Sequence, residues 1–244
     1  MTGSRRFLNL TVEHFYMGVL ITAVYVAITP WLLGQGYPSL AALLFVEILV
    51  LTPLVLIHLL VIARGQGKSA SLADVISYRE PIGRKSFLLW YVLGLVAIFA
   101  TYIPLYPVGI FLRGELFAWL PDWYFNPSHG TTDLGMLAKL FLIGIIIDGL
   151  IAPTMEEIFF RGYLLPRMEF LGGWAPIING AFFGLYHFWQ PHNLIALVVV
   201  GIILSFVVWK TKNVYLGIAL HCSINILGAL AGYFAVVNGI DIAR

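Results

Sequence analysis

Apolar runs of roughly twenty residues, the length that crosses a hydrocarbon core of ~30 Å, recur along the whole chain with short polar breaks between them. They predict helices at about 13–33, 39–63, 87–111, 135–165, 175–189, 194–209 and 214–238, with an eighth if one of these is broken. Gly34, Gly36 and Pro38 punctuate the first break, Gly65 and Gly67 the second, Gly172, Gly173 and Pro176 the fourth, and Pro191 the fifth. The pattern predicts an all-α protein: a polytopic transmembrane helical bundle of about seven to eight spans, forming a single integral membrane domain over residues 1–244. The first run follows Arg5 and Arg6 and lacks a small-residue cleavage site, which marks a retained span rather than a removed signal peptide.

Composition excludes a separate soluble domain, because 60% of the residues are hydrophobic, 11% are charged, and the mean hydropathy is +0.92. One cysteine, Cys222, leaves no internal disulfide to consider. No phosphate loop, dinucleotide fingerprint or nucleic-acid patch is present, so the expected partners are the lipid bilayer and a membrane-associated substrate, with no nucleic acid. The net charge of +2 matters only through its distribution. With a cytoplasmic N-terminus, Arg5, Arg6, Arg64, Lys68, Arg79, Arg84, Lys85, Arg167, Lys210 and Lys212 fall inside, ten in all, against three outside, Arg113, Lys139 and Arg244. That bias predicts a multi-pass protein of the cell membrane with its N-terminus in the cytoplasm. Residues 64–86 read either as a solvated loop or as containing an interfacial helix around Leu72 to Tyr78. Residues 112–134, with Trp119, Trp123, Tyr124 and Phe125, read as an aromatic belt at the outer interface.

Charge inside lipid is costly, so ionisable residues within the predicted spans mark function. Glu156 lies about 15 Å deep in the fourth span, His187 about 18 Å deep in the fifth and His221 about 12 Å deep in the seventh, at ~1.5 Å rise per residue. One level in the membrane thus collects three polar side chains, and counting from the Arg167 end places their site open to the cytoplasm. Glu157 and Arg161 are four apart and form an ion pair on one helix face, leaving Glu156, rotated by about 100°, free for chemistry as a desolvated general base. Gly180 and Gly184 share a face that admits another helix closely, which would bring His187 to the glutamate. His221 and Asn225, again four apart, can donate two hydrogen bonds to one oxygen, as an oxyanion hole requires.

The runs Glu156 to Leu164, Phe183 to His187 and His221 to Asn225 carry EExxxR, FxxxH and HxxxN elements in order over roughly residues 135–238, and this catalytic core resembles the CPBP family. That family comprises the glutamate-type CAAX prenyl proteases and the bacterial Abi or bacteriocin-processing enzymes. The resemblance implies a polytopic membrane endopeptidase without a metal cofactor. In it Glu156 and His187 activate a water, His221 and Asn225 stabilise the oxyanion, and Glu157 and Arg161 organise the site. Its implied substrate is a peptide or lipidated protein, either a C-terminal prenylated CAAX-like sequence or another membrane-associated peptide.

Three other readings stand beside it. Glu156, His187 and His221 could form a two-histidine, one-carboxylate zinc set, although HExxH is lacking. Cys222 could serve as a nucleophile, although it points about 100° away from His221 on a helix. A non-catalytic transporter or scaffold, such as an immunity protein, could use the polar cluster as a relay, and Glu47 and Asp148, also within spans, keep that reading open.

Overall fold

The computed structural model describes residues 3–65 and 71–240 and contains seven helices of span-like or near-span character. These are α1 (Gly3–Gly34), α2 (Ser39–Gly65), α3 (Arg84–Gly114), α4 (Leu134–Arg167), α5 (Trp174–Leu185), α6 (Leu194–Thr211) and α7 (Val214–Val237). Six are long and apolar enough to cross a membrane, so the chain is an integral, multi-pass membrane protein with an all-α fold. The seventh, α5, differs from the expected span. Its 12 residues rise ~18 Å, too little to cross the hydrocarbon core. Helix α1 also begins about ten residues earlier than its apolar run, because helical geometry continues through the polar flank around Arg5 and Arg6.

Side chains at the helix starts explain two of the boundaries. The carboxylate of Asp133 accepts from Met136 N at 2.9 Å and opens α4, and the amide oxygen of Asn213 accepts from Leu216 N at 3.0 Å and opens α7. Along α3, Leu88, Leu89, Val96 and Ile103 are exposed to the lipid side, while His14, Glu157, Arg161, Asn179 and Ser205 are fully buried. The bundle therefore puts its polar groups inside, where they bond one another, and its apolar groups outside.

Three prolines reshape the helices that carry the site. Proline lacks an N–H and its ring clashes with the carbonyl four residues back, so an α-turn ahead of it cannot close normally. Ahead of Pro53, Pro153 and Pro166 the helix widens into π-helical turns at Glu47–Leu51, Ile147–Ile151 and Ile158–Leu164. The i+5 bonds Thr52 N to Glu47 O, Ala152 N to Ile147 O and Leu165 N to Phe160 O close them. At the third turn the carbonyl of Gly162 is taken by Ser77 N at 2.8 Å.

That contact fixes the segment before α3. Leu72–Asp74 forms one short 3-10 turn, and the chain then runs on irregularly, with Val75 and Tyr78 buried and Val214 N bonded to Tyr78 O at 2.7 Å. Beyond that turn residues 75–83 form no helix, and Ala73, Asp74, Ser77, Arg79 and Glu80 are exposed as in a solvated loop, which Gly162 and the start of α7 tie down through main-chain bonds; residues 66–70 lie outside the described residues. In the segment between α3 and α4, Trp123 and Tyr124 pack edge-on against Tyr25, and Asp122 binds Arg113 and His129. The buried Gly180 and Gly184 do admit a neighbour closely, but the neighbour is α6: a Cβ on either would overlap the backbone at Ile202 or Val198.

Candidate active site

Helices α4 and α7 and the end of α5 bring Glu156, Glu157, Arg161, His187 and His221 together, each less than one-tenth exposed. The frame is built on Glu157 and Arg161. Arg161 Nη1 donates to Glu157 Oε1 at 2.9 Å, Nη2 to Gly201 O at 3.1 Å and Nε to Ser205 Oγ at 3.2 Å. Its guanidinium also lies 4.0 Å over the Phe183 ring. Ser205 in turn donates to Asn179 Oδ1 at 2.9 Å, and Asn179 Nδ2 lies 3.0 Å from His14 Nε2 and 3.1 Å from Phe160 O. A buried charge needs this degree of pairing and hydrogen bonding to be tolerated. Gly217 on α7 makes room for it, since a Cβ there would stand 2.6 Å from Glu157 Oε2.

Glu157 has a second role. Its Oε1 accepts from His221 Nδ1 at 3.0 Å, which turns His221 Nε2 toward Glu156 Oε2 at 3.7 Å. His187 is set in a matching way. It lies two residues past the end of α5, its Nδ1 donates to the acceptor-only carbonyl of Phe183 at 2.8 Å, and its Nε2 faces Glu156 Oε1 at 3.8 Å. Both gaps exceed a direct hydrogen bond and suit groups that act on one small molecule between them.

Glu156 is separate from the ion pair, as its helix position implies, but it is not without a partner. The hydroxyl of Tyr186, fully buried beside His187, donates to Glu156 Oε1. Sequence reasoning missed this residue because the interior of an FxxxH element reads as spacing; a tyrosine directly before the histidine in an apolar helix end was the available signal. Asn225 lies one turn beyond His221, as expected, and its Nδ2 donates to Asp148 O at 3.0 Å and approaches Asp148 Oδ1 at 3.4 Å.

Glu156, His187, His221, Asn225, Asp148 and Glu47 all line one cavity of roughly 480 Å³. From these groups it continues past Phe141 on α4 and Gly228 and Ala231 on α7, an apolar arm toward the Leu134 end of α4. At the Arg167 end, Ile76 packs against Gly162 and Ser77 N bonds its carbonyl. Among the described residues no group of three His, Cys, Asp or Glu side chains is disposed to hold a metal ion. Cys222 lies 3.6 Å from Thr154 Oγ1 and 3.7 Å from Leu150 O, directed at α4 rather than at His187.

Compared with protein-family models, residues 138–227 match the one described as type II CAAX prenyl endopeptidase Rce1-like. No curated protein and no solved structure matches the chain.

Proposed function

The chain carries a domain of the Rce1-like type II CAAX prenyl endopeptidase family at residues 138–227, a family of membrane peptidases, and on that footing we propose that it cleaves a peptide bond with a water activated by Glu156 and His187. The observation that supports this most is the Glu156 carboxylate flanked by the Nε2 atoms of His187 and His221 at 3.8 and 3.7 Å, inside a cavity with an apolar arm.

The chemistry follows from the donors and acceptors. A water between Glu156 and His187 meets two proton acceptors, since His187 already commits its Nδ1 proton to Phe183 O. Glu156 takes one water proton while the oxygen forms its bond to the substrate carbonyl carbon. Tyr186 holds the carboxylate in place for that transfer. The carbonyl oxygen becomes an anion, stabilised by the Nδ2 of Asn225 and by the Nε2–H of His221, whose Nδ1–H is held by the Glu157 carboxylate. The C–N bond then breaks, and the proton held by Glu156 passes to the leaving nitrogen, restoring the carboxylate.

The apolar arm suits the lipid or hydrophobic part of a prenylated CAAX-like or other membrane-associated peptide. The Lys and Arg distribution supports a cytoplasmic N-terminus in the cell membrane. Purified protein should cut a prenylated peptide and its unprenylated twin at different rates, with the prenylated one preferred. Equal rates for the two would refute the lipid assignment, and no cleavage of either would refute the peptidase assignment.

A further inference from the structure

Every residue used in the reaction above falls within 138–227, but the hydrogen bonds that hold His221 continue beyond that stretch to His14 on α1. Glu157 Oε1 accepts both from His221 Nδ1 at 3.0 Å and from Arg161 Nη1 at 2.9 Å, so one oxygen ties the imidazole to the guanidinium. Arg161 Nε donates to Ser205 Oγ at 3.2 Å, Ser205 donates to Asn179 Oδ1 at 2.9 Å, and Asn179 Nδ2 lies 3.0 Å from His14 Nε2. Helices α1, α4, α5, α6 and α7 each contribute to this series, and every member other than His221 is fully buried.

The bonds run in one consistent direction. His14 Nδ1 meets the Leu10 carbonyl at 2.6 Å, and a carbonyl only accepts, so this nitrogen carries the ring proton and Nε2 is left as the acceptor. The two hydrogens of Asn179 Nδ2 then go to His14 Nε2 and to Phe160 O, 3.1 Å away, which leaves the amide oxygen for the Ser205 hydroxyl. Turned end for end, the amide would set its oxygen against the Phe160 carbonyl and offer a hydrogen where Ser205 needs an acceptor. With its own hydrogen placed on Asn179, Ser205 is free to accept from Arg161 Nε. Resting on the peptidase reading, we propose that His14 is a positioning residue: with Asn179 and Ser205 it seats the Arg161 guanidinium, and through Glu157 Oε1 it aims His221 at Glu156 and the oxyanion. Helix α1 is fitted to the site in a second place. Gly18, one turn from His14 on the same face, packs against Tyr186, the residue that holds Glu156; a Cβ there would overlap the Tyr186 carbonyl and stand 2.9 Å from its ring.

The test uses the full chain in detergent. His14→Leu removes the acceptor and should lower kcat about five- to twentyfold with KM within about twofold. His14→Gln, whose amide oxygen can take the place of Nε2, should recover most of that loss. Ser205→Ala breaks the series nearer Arg161 and should cost about ten- to fiftyfold in kcat, and adding His14→Leu to it should cost no more than about twofold further, because the second break lies beyond the first. Side-chain nitrogen NMR of histidine-labelled protein reads both ends without turnover. At neutral pH His14, identified by the signals that His14→Gln removes, should carry its proton on Nδ1 alone, and the His221 signals should shift in His14→Leu and in Ser205→Ala. If His14→Leu fails to fold, Ser205→Ala carries the comparison, since a break in the middle should shift the signals of His14 and His221 alike. Multiplicative losses in the double variant, a His14→Gln as slow as His14→Leu, or a proton on His14 Nε2 would overturn the proposal. So would a lowered unfolding midpoint with kcat and the His221 signals unchanged, the mark of a role in stability alone. Shifted His221 signals in a protein whose wild type cleaves nothing overturn the peptidase reading instead.

Discussion

Arg161→Met isolates the frame of the site from its reagent. The guanidinium is fully buried and holds Glu157, Gly201 and Ser205 through three nitrogens, and Met replaces its length with an apolar chain. Glu157 would then be a buried carboxylate whose remaining bonded partner is His221, and breaking a buried pair this way costs about 3–5 kcal/mol. At roughly 2–4 °C per kcal/mol for a chain of this size, the unfolding midpoint should fall on the order of 10 °C. Thermal unfolding in detergent, followed by tryptophan fluorescence, measures it. Arg161→Met with Glu157→Leu should recover most of the stability, since an apolar pair of similar volume removes the stranded charge. Cleavage should not return, because His221 has lost the carboxylate that orients it. A midpoint for Arg161→Met within about 2 °C of wild type, less than ~1 kcal/mol, would refute the reasoning.

The other expectations are narrower. Tyr186→Phe should lower kcat roughly tenfold, the value of about one hydrogen bond, with KM and unfolding midpoint unchanged; a larger KM effect would point to substrate binding instead. Gly184→Leu forces a side chain into the backbone of α6 and should prevent accumulation of folded protein, as measured by monodisperse recovery in detergent. Extended dialysis against a chelator should leave cleavage unchanged; loss restored by zinc would sink the metal-free mechanism.

Much of this site was legible because helix periodicity is strict. The pairing of Glu157 with Arg161, the separate direction of Glu156, and the meeting of Glu156, His187 and His221 follow from residue spacing and counted depth, and the structure places them so. What escaped lies where the chain leaves α-helical geometry. Pro53, Pro153 and Pro166 sit inside apolar runs, and hydropathy counts them as interruptions too small to matter. They widen the turns that carry Glu47 and Asp148 and free the Gly162 carbonyl for Ser77. His187 was expected on a spanning helix, yet α5 ends at Leu185, so its ring is held by the Phe183 carbonyl rather than by helix position alone. Asn225 was read only through its relation to His221. Its contact with Asp148 joins residues far apart in sequence, which no local period encodes.

The most direct test of the account is single-turnover cleavage of a prenylated peptide by wild type and by Glu156→Gln, with folding checked on the same samples. Glutamine keeps the size and the bond from Tyr186 but cannot take a proton from water. The account predicts an unfolding midpoint at or above that of wild type and cleavage lower by at least about a thousandfold, within the range of general-base loss. A Glu156→Gln protein that folds and still cuts at more than about a tenth of the wild-type rate, a barrier change under ~1.4 kcal/mol, would contradict it.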